Sequence, residues 1–116
     1  MTAARFDALI HAPSKLAIVA LLAAAEWAEF RFVRDSTGLS DSALSKQLSS
    51  LEAAGYVEIH RGFVGKRPRT SARLSPAGRA AFDGHVAALE EIVAGRLNSL
   101  APAGTGPQPG SPTEAG

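Results

Sequence analysis

The chain has 116 residues, 46% of them hydrophobic and 20% charged, and its 12 Lys and Arg against 11 Asp and Glu leave a formal charge of +1. That suits one globular domain and is too short for a catalytic domain beside a binding domain. Zero cysteines exclude a disulfide framework, a thiol nucleophile and thiolate metal sites, and leave the compartment open with the cytoplasm expected.

In chain order, Phe6, Leu9 and Ile10 predict a short amphipathic helix that stops before Pro13, because the residue preceding a proline avoids the helical region. Ser14 is the expected N-cap of a second helix reaching residue 25. Its apolar run, residues 16–25, is about half the roughly 20 residues that a transmembrane helix needs. Lys15 before that run and Ala23, Ala24 and Ala25 at its end resemble a signal peptide. Asp7 and Pro13 upstream argue against one, and the domain would lose its first full helix. Residues 29–33 alternate charged and aromatic side chains, as a very short strand or the entry to the next helix would. A short helix over residues 32–37 is closed by Gly38.

Ser40 caps the next helix, predicted over residues 40–54 and ended by Gly55. Residues 56–61 alternate with Val57 and Ile59 on one face, and residues 70–74 repeat the pattern with Ala72 and Leu74. Between them, residues 62–69 read as a long glycine-bounded loop stiffened at its tip by Pro68. Ser75-Pro76 opens a helix lasting to about residue 100. Residues 101–116 interleave Pro and Gly without an aromatic or branched aliphatic side chain, so they are expected to form a disordered tail behind a single domain of residues 1–100. The expected fold is mainly α with a small β-hairpin, two short helices followed by a wing.

At about 100° per residue, Leu44, Leu48 and Leu51 share one stripe of the 40–54 helix, and Ser42, Ser45, Lys46 and Ser49 lie opposite. A solvated helix face would carry Glu/Lys pairs. Short hydroxyl side chains and one lysine instead suit a major groove, where they permit close approach and reach phosphates or base edges. From His60 to Arg79 the chain carries Arg61, Lys66, Arg67, Arg69, Arg73 and Arg79 and no Asp or Glu. Such a concentration within a nearly neutral chain fits phosphate binding, which releases condensed counterions. The candidate DNA-binding residues are therefore Ser40, Ser42, Ser45, Lys46, Ser49, Arg61, Lys66, Arg67, Arg69 and Arg73, with Lys66, Arg67 and Arg69 along a backbone or minor groove. A solvated basic hairpin, or one meeting RNA or anionic lipid, is the alternative for the hairpin alone.

Residues 39–57 (LSDSALSKQLSSLEAAGYV), then Gly65-Lys66-Arg67-Pro68-Arg69-Thr70 and Leu74-Ser75-Pro76-Ala77-Gly78, resemble the MarR/ArsR-type winged-helix transcriptional regulators. The likeness is greatest to short bacterial members with one long C-terminal helix, and it spans roughly residues 8–95. It implies that Ser42, Ser45 and Lys46 face DNA, that the wing arginines grip the backbone, and that a small effector lodges between the helical dimer arm and the winged core. Two departures stand out. MarR-type wings place an acidic residue before the arginines, and this stretch has none; ArsR metal sensors rely on cysteines, which are absent.

Phe82, Val86, Leu89, Val93, Leu97 and Leu100 recur at helical spacing. A helix of this length, some 36 Å, exceeds what so small a domain covers. The stripe predicts a homodimer through Phe6, Leu9, Ile10, Phe82, Val86, Leu89, Val93 and Leu97, with two reading helices roughly 34 Å apart on a palindromic operator. His11, His60 and His85 form no zinc motif by spacing and are expected at the surface or interface. No cofactor, metal or membrane partner is expected. An enzyme is disfavoured, since no nucleophile–base pair, phosphate loop or spaced carboxylates occur. The sequence points to a double-stranded DNA-binding regulator, expected to be a repressor; the alternative is a winged helix serving as a protein-interaction module for an acidic partner.

Overall fold

The computed structural model describes residues 3–100, with side chains to residue 96. The expected tail, residues 101–116, lies outside the described residues. The element order is α1 (Ala8–His11), α2 (Pro13–Ala23), β1 (Ala28–Glu29), α3 (Phe30–Thr37), α4 (Asp41–Ala53), β2 (Val57–Val64), β3 (Arg67–Leu74) and α5 (Pro76–Leu100).

Local signals explain most boundaries. Asp7 caps α1 by accepting from the Leu9 and Ile10 N–H groups. The break before α2 falls at Ala12, whose ψ of 131° is the extended geometry a following proline demands. Ser14 is not the cap of α2: Pro13 takes the first turn, where its missing N–H costs nothing, and no side chain caps that end. Gly38, at φ 76°, closes α3, and Ser40 Oγ accepts from the Ala43 N–H at the start of α4. Ser75 Oγ accepts from Gly78 N–H while donating to the Gly55 carbonyl, so one hydroxyl caps α5 and ties it to the end of α4.

The apolar α2 lies at the centre. Ile18, Val19 and Leu22 pack with Val33 of α3, Leu44, Leu48 and Leu51 of α4, and Val57, Ala72 and Leu74 of the sheet. The predicted leucine stripe of α4 is thus the face that builds the core. The sheet has three antiparallel strands in the order β1-β3-β2. The charged–aromatic segment is both things at once, with Ala28 and Glu29 pairing with Ala72 and Ser71 before α3 begins at Phe30.

The hairpin corrects one expectation. Residues 62–69 are not a loop, because the ladder runs through Gly62↔Arg69, Phe63↔Pro68 and Val64↔Arg67, leaving a two-residue turn at Gly65-Lys66. Gly65, at φ 64°, supplies the left-handed conformation such a turn needs. Counting from the closing pair, Phe63↔Pro68 is a position without cross-strand hydrogen bonds. The N–H that proline lacks would point away from β2, on the side that short β1 does not reach.

Candidate nucleic-acid interface

Helix α4 buries Leu44, Leu48 and Leu51 and exposes Ser42, Ser45, Lys46 and Ser49. Beside it, Ser45, Leu48 and Ser49 line a groove of about 350 Å³ with Ile59 and Arg61 of β2, Thr70 of β3, and Phe30 and Asp41. The fold therefore joins the reading-helix candidates to Arg61 of the wing. Ser40 is exposed at the first turn but its hydroxyl is committed to capping α4.

A second cleft, of about 380 Å³, opens between α3 and the wing and carries Arg31, Arg34, Arg67 and Arg69 together with Glu29 and Asp41. Arg31 and Arg34 lie outside the reading helix and hairpin, where the sequence concentrates its candidate cations. Their signal was the Phe-Arg-Phe-Val-Arg spacing, which puts Arg31 and Arg34 on one helical face. Arg34 bridges Asp35 and Asp41, each at 3.0 Å, linking α3 to the start of α4. The hydrogen bonds to Asp41 and then Asp35 raise the Arg34 pKa further.

The wing arginines divide into two groups. Arg69 lies 3.4 Å from Glu29, so the acid missing beside the wing arginines comes from β1. Arg73 donates to Glu58 at 2.8 Å and lies over the Trp27 ring, 4.5 Å from its centroid. It sits at the base of the hairpin opposite Glu58, with its charge committed, and not among the cations near the tip. Among the described residues, Arg31, Lys46, Arg61, Lys66 and Arg67 make no ion pair. The uninterrupted +6 of the sequence is therefore partly neutralised from outside it; of the rest, Arg61, Lys66 and Arg67 lie on the wing, and Arg79, at the start of α5, donates to the Ala23 carbonyl. Hydroxyl, ammonium and guanidinium donors on one surface can hydrogen-bond and neutralise a polyanion.

The expected dimer surface also divides. Ile10 is wholly buried within its own chain, and Leu9 and Phe82 pack on its core, so Ile10 has no surface to offer a second copy. Val86, Leu89 and Val93 instead line an open apolar groove with Glu90 and Ala94, and Ile92 and Val93 are more than half exposed. The Leu97 side chain lies outside the described residues.

His85 is neither at the surface nor at an interface: it is completely buried. Its Nδ1 accepts from the Asp7 N–H at 2.9 Å, so the neutral ring carries its proton on Nε2, 3.3 Å from His11 Nδ1. Phe6 packs against both rings. Burial, then His11, lowers the His85 pKa, with Asp7 opposing. Burial pushes the Asp7 carboxyl up, but the Tyr56 hydroxyl and the Ile10 and Leu9 N–H groups outweigh it and hold it below its usual value. The 2.6 Å bond to Asp7, then burial, raises the Tyr56 pKa. Among the described residues no group of three or more His, Cys, Asp or Glu could hold a metal ion, and no helix is long and apolar enough to cross a membrane.

A family model described as a winged helix DNA-binding domain matches residues 14–93. An uncharacterized protein of Methanocaldococcus jannaschii is 31% identical over 72 residues, 62% of this chain and 78% of that protein. Among solved structures, a transcriptional regulator homologue from Pyrococcus horikoshii superposes with a TM-score of 0.71 at 22% identity, covering 76% of this chain and 87% of that one. The PcaV transcriptional regulator from Streptomyces coelicolor, solved with its natural ligand, gives 0.66 at 22% identity, covering 83% and 67%. A MarR family regulator from Silicibacter pomeroyi gives 0.60 at 25%, covering 82% of this chain and 63% of that one.

Proposed function

Since the chain belongs to the winged helix DNA-binding domain family, we propose that it is a sequence-specific regulator of transcription that binds double-stranded DNA as a homodimer. The observation that carries this reading is the exposed row of Ser42, Ser45, Lys46 and Ser49, whose Ser45 and Ser49 share a groove with Arg61. In this reading α4 enters the major groove, where hydroxyls and Lys46 meet base edges, and Lys66, Arg67 and Arg69 follow the backbone toward the minor groove. The dimer forms through the Val86, Leu89 and Val93 stripe of α5, so two copies of α4 read the halves of a palindromic operator. Repression in the cytoplasm, by occluding a promoter, is the mode we assign. A small-molecule effector at the meeting of helical arm and winged core extends the proposal; PcaV with its natural ligand supports it.

The experiment is a salt titration of binding to random and to selected duplexes. A steep decline with salt on both, and a preference for the selected duplex, is the expected result. Binding that is absent or indifferent to salt overturns the reading and leaves the protein-interaction module. Leu89→Asp should shift the protein to monomer by sedimentation and weaken operator binding without altering the fold.

A further inference from the structure

The wing tip carries a side chain that the charge argument leaves unused. Phe63 is 73% exposed, the most exposed of the large apolar side chains among the described residues, and Val64 beside it is 52% exposed. Neither belongs to the core or to the packing around it. Phe63 sits across the ladder from Pro68, one pair in from the Val64↔Arg67 pair that closes the Gly65-Lys66 turn. By pleating it alternates with Gly62 and Val64 on the Ile59 and Arg61 side of β2, and at the tip it lines an open groove with Trp27, His60, Val64 and Arg69. The charged residues nearest it along the chain are Arg61, Lys66 and Arg67, all cationic and, among the described residues, without an ion pair.

We propose that Phe63 is a wedge that the wing drives into the minor groove of duplex DNA, partly unstacking one base step. This rests on the DNA-binding reading above and adds to it a residue and a mode of discrimination. Charge complementarity selects the occupant: a cationic collar around an exposed ring matches a groove walled by phosphates, where a ring can stack against base faces once a step opens. An acidic protein surface would satisfy the collar but not the ring. The hairpin tip is narrow, two strands roughly 4.8 Å apart joined by two residues, and the ladder up to Val64↔Arg67 stiffens it. An aromatic side chain inserted from the minor groove kinks the duplex toward the major groove, which would bend DNA around the α4 side of the domain. Unstacking is easiest at pyrimidine–purine steps, so the wing would favour sites with such a step at a fixed offset, without hydrogen bonds to its bases.

The test uses the full chain and a duplex selected from random sequence, with 2-aminopurine placed in turn at each step flanking the major-groove contacts. Binding should raise the fluorescence at one step in each half-site. Phe63→Ala should abolish that rise and weaken binding by about tenfold, within the range for loss of aromatic–base stacking. It should leave the slope of log affinity against log salt unchanged, because no cation is removed. Phe63→Leu should keep part of both effects. Since Phe63 lies outside the core, unchanged thermal unfolding of the variants is the internal control. If salt-dependent binding persists while no step responds and Phe63→Ala binds as wild type does, the wedge is refuted and the regulator reading stands. If neither protein binds duplex DNA in a salt-dependent manner, the reading beneath it fails as well.

Discussion

Acid should loosen this protein through His85. In the folded chain its ring is fully buried, accepts from the Asp7 N–H and faces His11. A second proton would have to go on Nδ1, opposite an N–H that already points at it. Burial, with His11 adding to it, lowers the folded pKa, while the unfolded ring titrates near 6.5. A lowered folded value means that the unfolded state binds more protons, so the contribution is complete above about pH 6.5 and is lost as pH falls toward the folded pKa. The slope has an upper limit of about 1.4 kcal/mol per pH unit. A ring that stays neutral in the fold would cost at most about 1.4 kcal/mol between pH 7.5 and 5.5, a fall in Tm on the order of 6–11 °C for a domain of this size. Thermal unfolding of wild type and His85→Asn at the two pH values measures it. Asparagine can still accept from the Asp7 N–H but cannot titrate, so the variant should lose less stability on acidification. If His85→Asn shows the same acid loss as wild type, another group is responsible and the argument from burial is wrong.

Other outcomes follow from the same geometry. Gly78→Ala would drive a methyl group into the Tyr56 carbonyl, a backbone collision that should cost about 2 kcal/mol or more in urea unfolding. Ser75→Ala removes both the α5 cap and the bond to Gly55, for a loss of about 1–2 kcal/mol by the same assay. Glu29→Gln frees Arg69 from its only ion pair among the described residues, and should raise affinity for random duplex and steepen the salt slope by up to about one. Replacing Lys66, Arg67 and Arg69 by Ala should weaken binding to every duplex and flatten that slope, whereas replacing Ser45 and Lys46 should relax the choice between sites; competition binding distinguishes the two.

Local rules carried the reading of α4 and α5 because their information is local. The leucine spacing of α4, its Ser40 cap and the Ser75-Pro76 start of α5 each act within one or two helical turns. The hairpin looks more open in sequence than it is, because Gly62, Gly65 and Pro68 all signal loops. Only cross-strand pairing, with Pro68 at a position that needs no N–H toward β2, shows why the ladder tolerates them. The roles of Glu29, Glu58 and His85 were out of reach for another reason. Each partner lies far along the chain, Arg69 from Glu29, Arg73 from Glu58 and Asp7 from His85, and periodicity is silent about such pairings. Ile10 shows the limit of amphipathic reasoning: an apolar face says that something covers it, not whether the cover is the same chain.

Tyr56 joins more segments than its place between helix and strand suggests. Its N–H donates to the Leu51 carbonyl, its carbonyl accepts from the Ser75 N–H and its hydroxyl donates to Asp7. The root of the wing, the end of α4 and the start of α5 are thereby clamped at one point. The helix and hairpin therefore meet a partner as one preassembled body, and little ordering entropy is left to offset on association. Damage at this clamp, distant from every proposed contact, would appear as a complex that forms at the usual rate and falls apart sooner.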